Sequence, residues 1–237
     1  MAAKKKSSTP GTLADRAYEA IKRAILRGEF AEGAFLSEAD ITSRFQIGRT
    51  PFREACNRLH NEQLLEVVPR RGYYVPEMSF RTVRDLLETR LILEGVAAEL
   101  AAKRGEPAEV TEIDRLYKQT LALARNRDDV EPFIESNTAF HLQIARMARN
   151  RELESLLRGV LERSTRLFHL VVRSSSAPEK DAEDHLRPIV AALRKGDAKA
   201  AHDAVVNDIT QGQLNVLGRD LWATPTSALS RVGDRFK

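Results

Sequence analysis

Between residues 48 and 59 the chain reads Gly-Arg-Thr-Pro-Phe-Arg-Glu-Ala-Cys-Asn-Arg-Leu, and no other stretch limits the fold as tightly. Phe52, Ala55, Cys56 and Leu59 recur at i, i+3, i+4 and i+7, the apolar stripe of a helix packed on a core. Arg49, Thr50, Arg53 and Asn57 fall off that stripe, on a face open to a partner. A guanidinium is a planar fork of donors that matches guanine O6 and N7 or a phosphate, so two on one exposed helix face suit a major groove. The start of the helix is also marked. Gly48 can act as N-cap, and Pro51 in the first turn lacks an N–H that would find no helical partner.

The flanks complete a unit. Glu38 to Phe45 is a short amphipathic segment, joined to the helix by Gln46-Ile47-Gly48, which predicts a helix-turn-helix. Leu64 to Val68 and Tyr73 to Val75 are β-prone runs separated by Pro69-Arg70-Arg71-Gly72. They read as a hairpin whose tip, Arg70, Arg71 and Gly72, forms a wing able to touch the backbone or enter a minor groove. Upstream, Leu13, Ala17, Ile21 and Ile25 mark one face of a supporting helix that Gly28 would end. Between Arg44 and Arg71 there are six arginines and no lysine, opposed only by Glu54, Glu62 and Glu66. An arginine-rich helix face is often merely solvated; here position as well as number favours binding of double-stranded DNA.

This stretch resembles the GntR family of bacterial transcription regulators. The resemblance rests on Glu38, Ile41, Thr42, Phe45, Gln46, Ile47, Gly48, Arg49, Thr50, Pro51, Phe52, Arg53, Glu54, Ala55 and Cys56, then Pro69, Gly72 and Val75. Gly48 departs from the pattern, standing where a hydroxyl residue is usual. The resemblance implies DNA contacts at Arg49, Thr50 and Arg53 on the helix and at Arg70, Arg71 and Gly72 in the wing.

Composition sets outer limits. A chain of 237 residues is long enough for two small domains. The formal net charge of +4 mildly favours an anionic partner. Lys4-Lys5-Lys6 lies in a Ser- and Pro-containing start, read as a disordered basic tail over residues 1–11 that adds salt-dependent affinity for phosphates or serves only solubility. The single cysteine, Cys56, falls on the apolar stripe, as a core thiol would, and cannot form a disulfide within one chain. No apolar run approaches the ~18 residues needed to span a bilayer, and no secretory segment is evident, so a cytoplasmic location is expected.

The expected fold is mainly α: a winged helix-turn-helix over residues 12–77, then an all-α six-helix bundle over 78–217, and a tail over 218–237 containing Trp222 and Pro225. Helix breaks are predicted near Gly105-Glu106-Pro107, Arg127-Asp128-Asp129, Arg149-Asn150, Ser174 to Pro178 and Gly196-Asp197, and Ser79 as the N-cap of the first bundle helix. Arg90 to Glu94, Asn137 to His141, Asn150, and Leu193 to Asp197 resemble the FadR-type division of the family, whose helical part is the FCD domain. That resemblance covers about 200 of the 237 residues. It implies a homodimer on a palindromic operator, a small organic acid effector held in the bundle, and often a divalent metal on three histidines and an Asp or Asn.

Asn137 and His141 are four apart and share a helix face with Phe133, Phe140 and Ile144, so they point inward. The rest of the metal set is damaged. Its third position falls on Leu186, with His185 one residue early, and its fourth falls on Asp208, not a histidine. One residue is ~100° of helix rotation, so His185 faces inward only if Pro188 distorts its helix. Two readings stay open: a zinc-like ion on Asn137, His141, His185 and Asp208, or a polar pocket in which Asn137 and His141 hydrogen-bond an effector. Arg90 would pair with an effector carboxylate, or else form an i,i+4 surface pair with Glu94; His202 reads as surface. Ligand-gated repression or activation is the expected function. A helical metallo-hydrolase using His141, His185 and Asp208 lacks a general base beside a nucleophile and a glycine-rich phosphate loop, so no enzyme is expected. A sequence-blind architectural DNA binder would leave the inward polar residues unexplained.

Overall fold

Thr12 opens the first helix, α1 (Leu13–Leu26), through a reciprocal cap in which its Oγ1 accepts from the Asp15 N–H and the Asp15 carboxylate accepts from the Thr12 N–H. Strand β1 (Phe35–Leu36) follows, then α2 (Glu38–Phe45), α3 (Arg49–Asn61) and the hairpin β2 (Glu66–Val68) and β3 (Gly72–Tyr74). The computed structural model describes residues 12–124, 130–174 and 182–217. The basic tail, the break at 127–129, most of the break at 174–178 and the C-terminal tail lie outside the described residues. The chain divides into two units, Met1–Glu77 and Met78–Lys237.

In the first unit α3 does what its stripe dictates. Phe52, Ala55, Cys56 and Leu59 are buried against Ala17, Tyr18, Ile21 and Ile25 of α1, with Ile41, Leu64, Leu65 and Val75 closing the core. Burial pushes the Cys56 thiol up to about 12, which leaves it an inert packing group. Gln46 takes a left-handed conformation (φ 52°) and turns the chain from α2 into α3. A polar seam holds α1 to α3: Arg58 Nη1 donates to Asp15 Oδ1 at 2.8 Å and its guanidinium lies 3.9 Å from the Tyr18 ring centroid, while the Tyr18 hydroxyl donates to Glu62 at 2.7 Å. Arg58 is thus committed to the scaffold.

Three expectations are corrected. Leu13 is exposed, because the buried face of α1 runs through Ala14, Ala17, Tyr18, Ile21, Ala24 and Ile25, one residue round from it. Leu64 and Leu65 do not begin the strand; Gln63 adopts φ 61°, the Leu64 and Leu65 N–H groups bond back to the Leu59 carbonyl, and both side chains plug the core. The hairpin also gains a third strand, β1, pairing Phe35 with Tyr74 and Leu36 with Tyr73, so the sheet order is β1-β3-β2. Two residues are too few for a periodic signal.

The second unit holds α4 (Phe80–Arg104), α5 (Pro107–Ala124), α6 (Glu131–Met147), α7 (Arg151–Ser174), α8 (Ala182–Lys195) and α9 (Ala198–Leu217). Ser79 caps α4, its Oγ accepting from the Thr82 N–H at 3.1 Å. The core runs through Ala98, Ala101, Ile113, Phe140, Ile144, Met147, Leu186, Ile189 and Val205. Small residues let α4 and α9 approach: a Cβ added at Gly95 would meet His202 Nε2 at 2.8 Å. His202 therefore borders the seam between them while its side chain stays 40% exposed, in keeping with the surface position expected. Leu59→Ala is expected to cost about 2–5 kcal/mol of the stability of the N-terminal unit. Calorimetry on the full chain checks it, with the loss confined to the transition assigned to residues 12–77.

Candidate nucleic-acid interface and buried polar site

Along α3 the side chains off the apolar stripe stand in solvent. Arg49, Thr50, Arg53 and Asn57 are all exposed, and Arg70 and Arg71 at the wing tip likewise. The tip turns tightly: Arg71 N–H bonds to the Val68 carbonyl at 3.0 Å, Arg70 sits at φ 67° and Gly72 at φ 97°. A Cβ at Gly72 would strike nothing, so glycine is required there by its backbone angle.

These groups are exposed yet not loose. Arg53 Nε donates to Glu38 Oε2 at 3.0 Å, and Arg49 Nε lies 3.3 Å from Glu38 Oε1. The Tyr73 hydroxyl donates to Asn57 Oδ1 at 2.7 Å, joining wing to helix, and the Tyr73 ring meets Phe52 edge-on at 5.9 Å. The Arg71 guanidinium lies 4.1 Å from the centroid of Phe35. One lone pair of the Asn57 oxygen is thereby engaged, and its amide N–H donors are left for a partner acceptor such as guanine, a thymine O4 or a phosphate.

Inside the bundle a second arrangement joins α4, α6 and α9. Arg90 Nε donates to Glu94 Oε1 at 2.6 Å, Glu94 Oε2 lies 2.7 Å from His141 Nδ1, and His141 Nε2 faces Asp208 Oδ2 at 3.4 Å. The Glu94–His141 contact is close but lies off the ring's N–H axis. Arg90, Glu94 and His141 are each about 3% exposed. Among the described residues no other hydrogen-bonding partner meets the Arg90 terminal nitrogens, while Phe168 of α7 lies 5.9 Å from the guanidinium. One of the two sequence expectations for Arg90 is corrected: the i,i+4 pair with Glu94 exists, and it is interior rather than at the surface.

The charges set one another. Burial drives the Glu94 carboxyl towards neutrality, but the charges of Arg90 and His141 outweigh it and hold the group down at about 2. Burial likewise disfavours a charged His141; the Glu94 charge, with that of Asp208, prevails and raises its pKa. Asp208 is raised, by burial first and then by Glu94.

Of the four expected metal ligands, His141 and Asp208 meet, at 3.4 Å, and the other two stand apart from that contact. Among the described residues no three His, Cys, Asp or Glu side chains are grouped to hold an ion. Leu186 takes the inward position of α8 at 2% exposure, and His185 beside it is only half-buried, since α8 runs on through Pro188. Asn137 is also half-buried and makes no part of the cluster. With no three donors grouped among the described residues and the Arg90 charge paired to Glu94, these residues do not fit a divalent metal as they stand.

Glu94 acts here as more than the surface partner expected of it, and α7, whose bounds the predicted breaks frame, carries buried polar residues that the sequence reading did not single out. Ser164, Thr165, Arg166 and His169 of α7 are buried, Thr165 Oγ1 is 3.1 Å from Thr138 Oγ1, and His169 Nε2 is 3.8 Å from Glu131. The available signal was the line Leu157, Leu161, Thr165, Phe168, in which a threonine interrupts an apolar stripe.

With this geometry in view, the comparisons decide the family. The description "Bacterial regulatory proteins, gntR family" matches residues 13–75 and "FCD domain" matches residues 85–211. The chain belongs to the GntR family and carries an FCD domain. The FCD-domain regulator is similar to the "Probable D-xylose utilization operon transcriptional repressor" of Paenarthrobacter nicotinovorans, 30% identical over 210 residues, 88% of this chain and 91% of that protein. It is also similar to the "HTH-type transcriptional repressor RspR" of Escherichia coli K12, 27% identical over 195 residues, 82% of this chain and 84% of that one. Among solved structures, E. coli McbR/YncC shares the fold at a TM-score of 0.76 and 22% identity, covering 87% of this chain and 97% of its own. The family and these relatives are transcriptional regulators, not enzymes. Among the described residues no helix is long and apolar enough to cross a membrane.

Two expected outcomes follow from the geometry. Arg53→Ala should remove about 1–3 kcal/mol of sequence-specific binding, seen by titrating matched and mismatched duplexes, with discrimination lost at one base position. For pH the sign is set by His141. Its folded pKa lies above the unfolded value of 6.5, so its stabilisation is whole below that pH and fades as pH rises through the folded value. Asp208 acts in the same sense from 3.8 upward, whereas Glu94 weakens the fold only as pH falls from 4.5 towards about 2. The melting temperature of the bundle should therefore fall above neutrality, and His141→Gln should flatten that fall.

Proposed function

We propose that the protein is a ligand-controlled repressor that binds a palindromic operator as a homodimer, acting in the bacterial cytoplasm where the chromosome lies. Arg49, Thr50, Arg53 and Asn57 enter the major groove, and Arg70, Arg71 and Gly72 meet the backbone or minor groove. Support for repression comes from the two relatives named as repressors. Support for a second copy comes from Ile92 and Val96, one turn apart on α4, and Leu156 on α7, all large apolar side chains left facing outward.

The observation that carries the control half is the buried Arg90–Glu94–His141–Asp208 cluster. Ion pairs of this kind rarely repay the cost of taking charges out of water, and an apolar replacement is commonly as stable or better. Such a cluster is better explained by use. The terminal nitrogens of Arg90 form a fork that suits a carboxylate, with His141 across the shared Glu94 as a further polar group. No step needs a metal. Ligand that binds one arrangement of the helices more tightly than another shifts the population of DNA-competent dimers by that difference.

The test pairs two readouts on the full chain. A panel of small mono- and dicarboxylates and of neutral sugars is screened by thermal shift, and the hits by release of an operator found by selection from random duplexes. A carboxylate should raise the melting temperature and weaken operator binding. His141→Ala should lose that response and keep operator binding without ligand. A response to neutral sugars alone would overturn the acid reading, and a hit that leaves DNA binding unchanged would overturn control.

A further inference from the structure

Glu38 stands at the first position of α2, and its two carboxylate oxygens are divided between two arginines. Oε2 accepts from Arg53 Nε at 3.0 Å, and Oε1 lies 3.3 Å from Arg49 Nε. The arginine side chains remain 84% and 66% exposed, for Arg49 and Arg53, whereas Glu38 is 29% exposed. The contact therefore occupies the inner nitrogen of each guanidinium and leaves the outer Nη pair turned to solvent.

We propose that Glu38 is a positioning residue for DNA reading: one carboxylate holds both recognition arginines by Nε, presenting their Nη forks end-on for guanine while lowering the pull of the helix on phosphate. The inference rests on the DNA-binding reading above and sharpens it.

Two physical effects combine. An arginine side chain has many rotamers to lose, and one already held at Nε gives up less freedom on meeting a base. A guanine takes its bidentate contact from two donors, and the Nη pair supplies both without disturbing the carboxylate. Meanwhile two arginines and one glutamate carry a local charge of one rather than two. Sequence-blind affinity scales with the phosphates neutralised, so the carboxylate suppresses non-specific binding more than specific binding. The bland alternative is that Glu38 only staples α2 to α3. A staple would change stability and leave the ratio of specific to non-specific affinity where it was.

The experiment uses full-length wild type, Glu38→Gln and Glu38→Asp. Each protein selects from a random duplex library, and the wild type's most enriched duplex and a scrambled copy are then titrated by fluorescence anisotropy across about 50 to 200 mM salt. For Glu38→Gln the expected result is tighter binding to the scrambled duplex with a salt slope steeper by about one, and a specificity ratio lower by about tenfold. The selected motif should lose definition at two positions in each half-site. Glu38→Asp keeps a carboxylate but is one methylene too short to reach both arginines, so it should recover the salt slope and not the motif. It also carries the test should the glutamine variant fail to fold. An unchanged ratio and motif in a folded variant would overturn the proposal alone. Failure of the wild type to enrich any motif would overturn the DNA-binding reading and the proposal with it.

Discussion

One turn apart in the middle of α4, Arg90 and Glu94 occupy positions that apolar residues hold almost everywhere else in the bundle. A charge so placed is tolerated only with partners, because leaving a buried ion uncompensated costs about 3–5 kcal/mol. The partners are drawn from α6 and α9, through His141 and Asp208. Register is thereby fixed along all three helices at once. Sliding any of them by one residue turns its ionisable group by ~100° and strands the others. Apolar packing of Ala98, Ile144 and Val205 tolerates small shifts in a way that this cluster does not.

Charge is managed the opposite way in the first unit. There the core of Phe52, Cys56, Leu59, Ile21 and Ile25 is wholly apolar, and the arginines stand outside it where hydration meets their cost. What the surface must supply is direction. Glu38, Tyr73 and Phe35 each touch a group at the proposed interface, and each spends a donor, an acceptor or a ring face that faces away from the partner. The scaffold beneath is stiffened by Arg58, Asp15, Tyr18 and Glu62, so the recognition helix and its support move as one piece. Pre-organisation of this kind matters most where the partner offers many near-identical competing sites.

Legibility in the sequence followed the length of the signal. A stripe at i, i+3, i+4 and i+7 defined α3 and its buried edge residue by residue, and Ser79 and Gly105 framed α4. Shorter signals gave less: β1 has two residues, and Leu64-Leu65 looks β-prone although Gln63 bends it into the core. For the buried site, His141 was placed inward correctly because its neighbours Phe140 and Ile144 are apolar. The metal set could not be settled from spacing. Whether Pro188 would rotate His185 inward depends on tertiary packing, and Leu186 took that position because it buries more apolar surface. Arg90 was ambiguous for a deeper reason, since an i,i+4 Arg–Glu pair reads the same in solvent as in a core.

Placement along α4 bears on how a ligand's grip on the cluster would be felt. The helix begins at Phe80, only six residues after β3 ends at Tyr74, and Arg90 follows ten residues later, about 15 Å along the axis. A helix bonded internally along that span responds as a rod. Reorienting Arg90 towards a ligand must either break its bond to Glu94 or carry α4 with it. Breaking the bond leaves Glu94 facing His141 alone and takes away the Arg90 charge that opposes protonation of the imidazole. On the proposed reading, a small molecule that draws Arg90 away from Glu94 would release a constraint on three helices, and one that leaves the Arg90–Glu94 pair intact would release none.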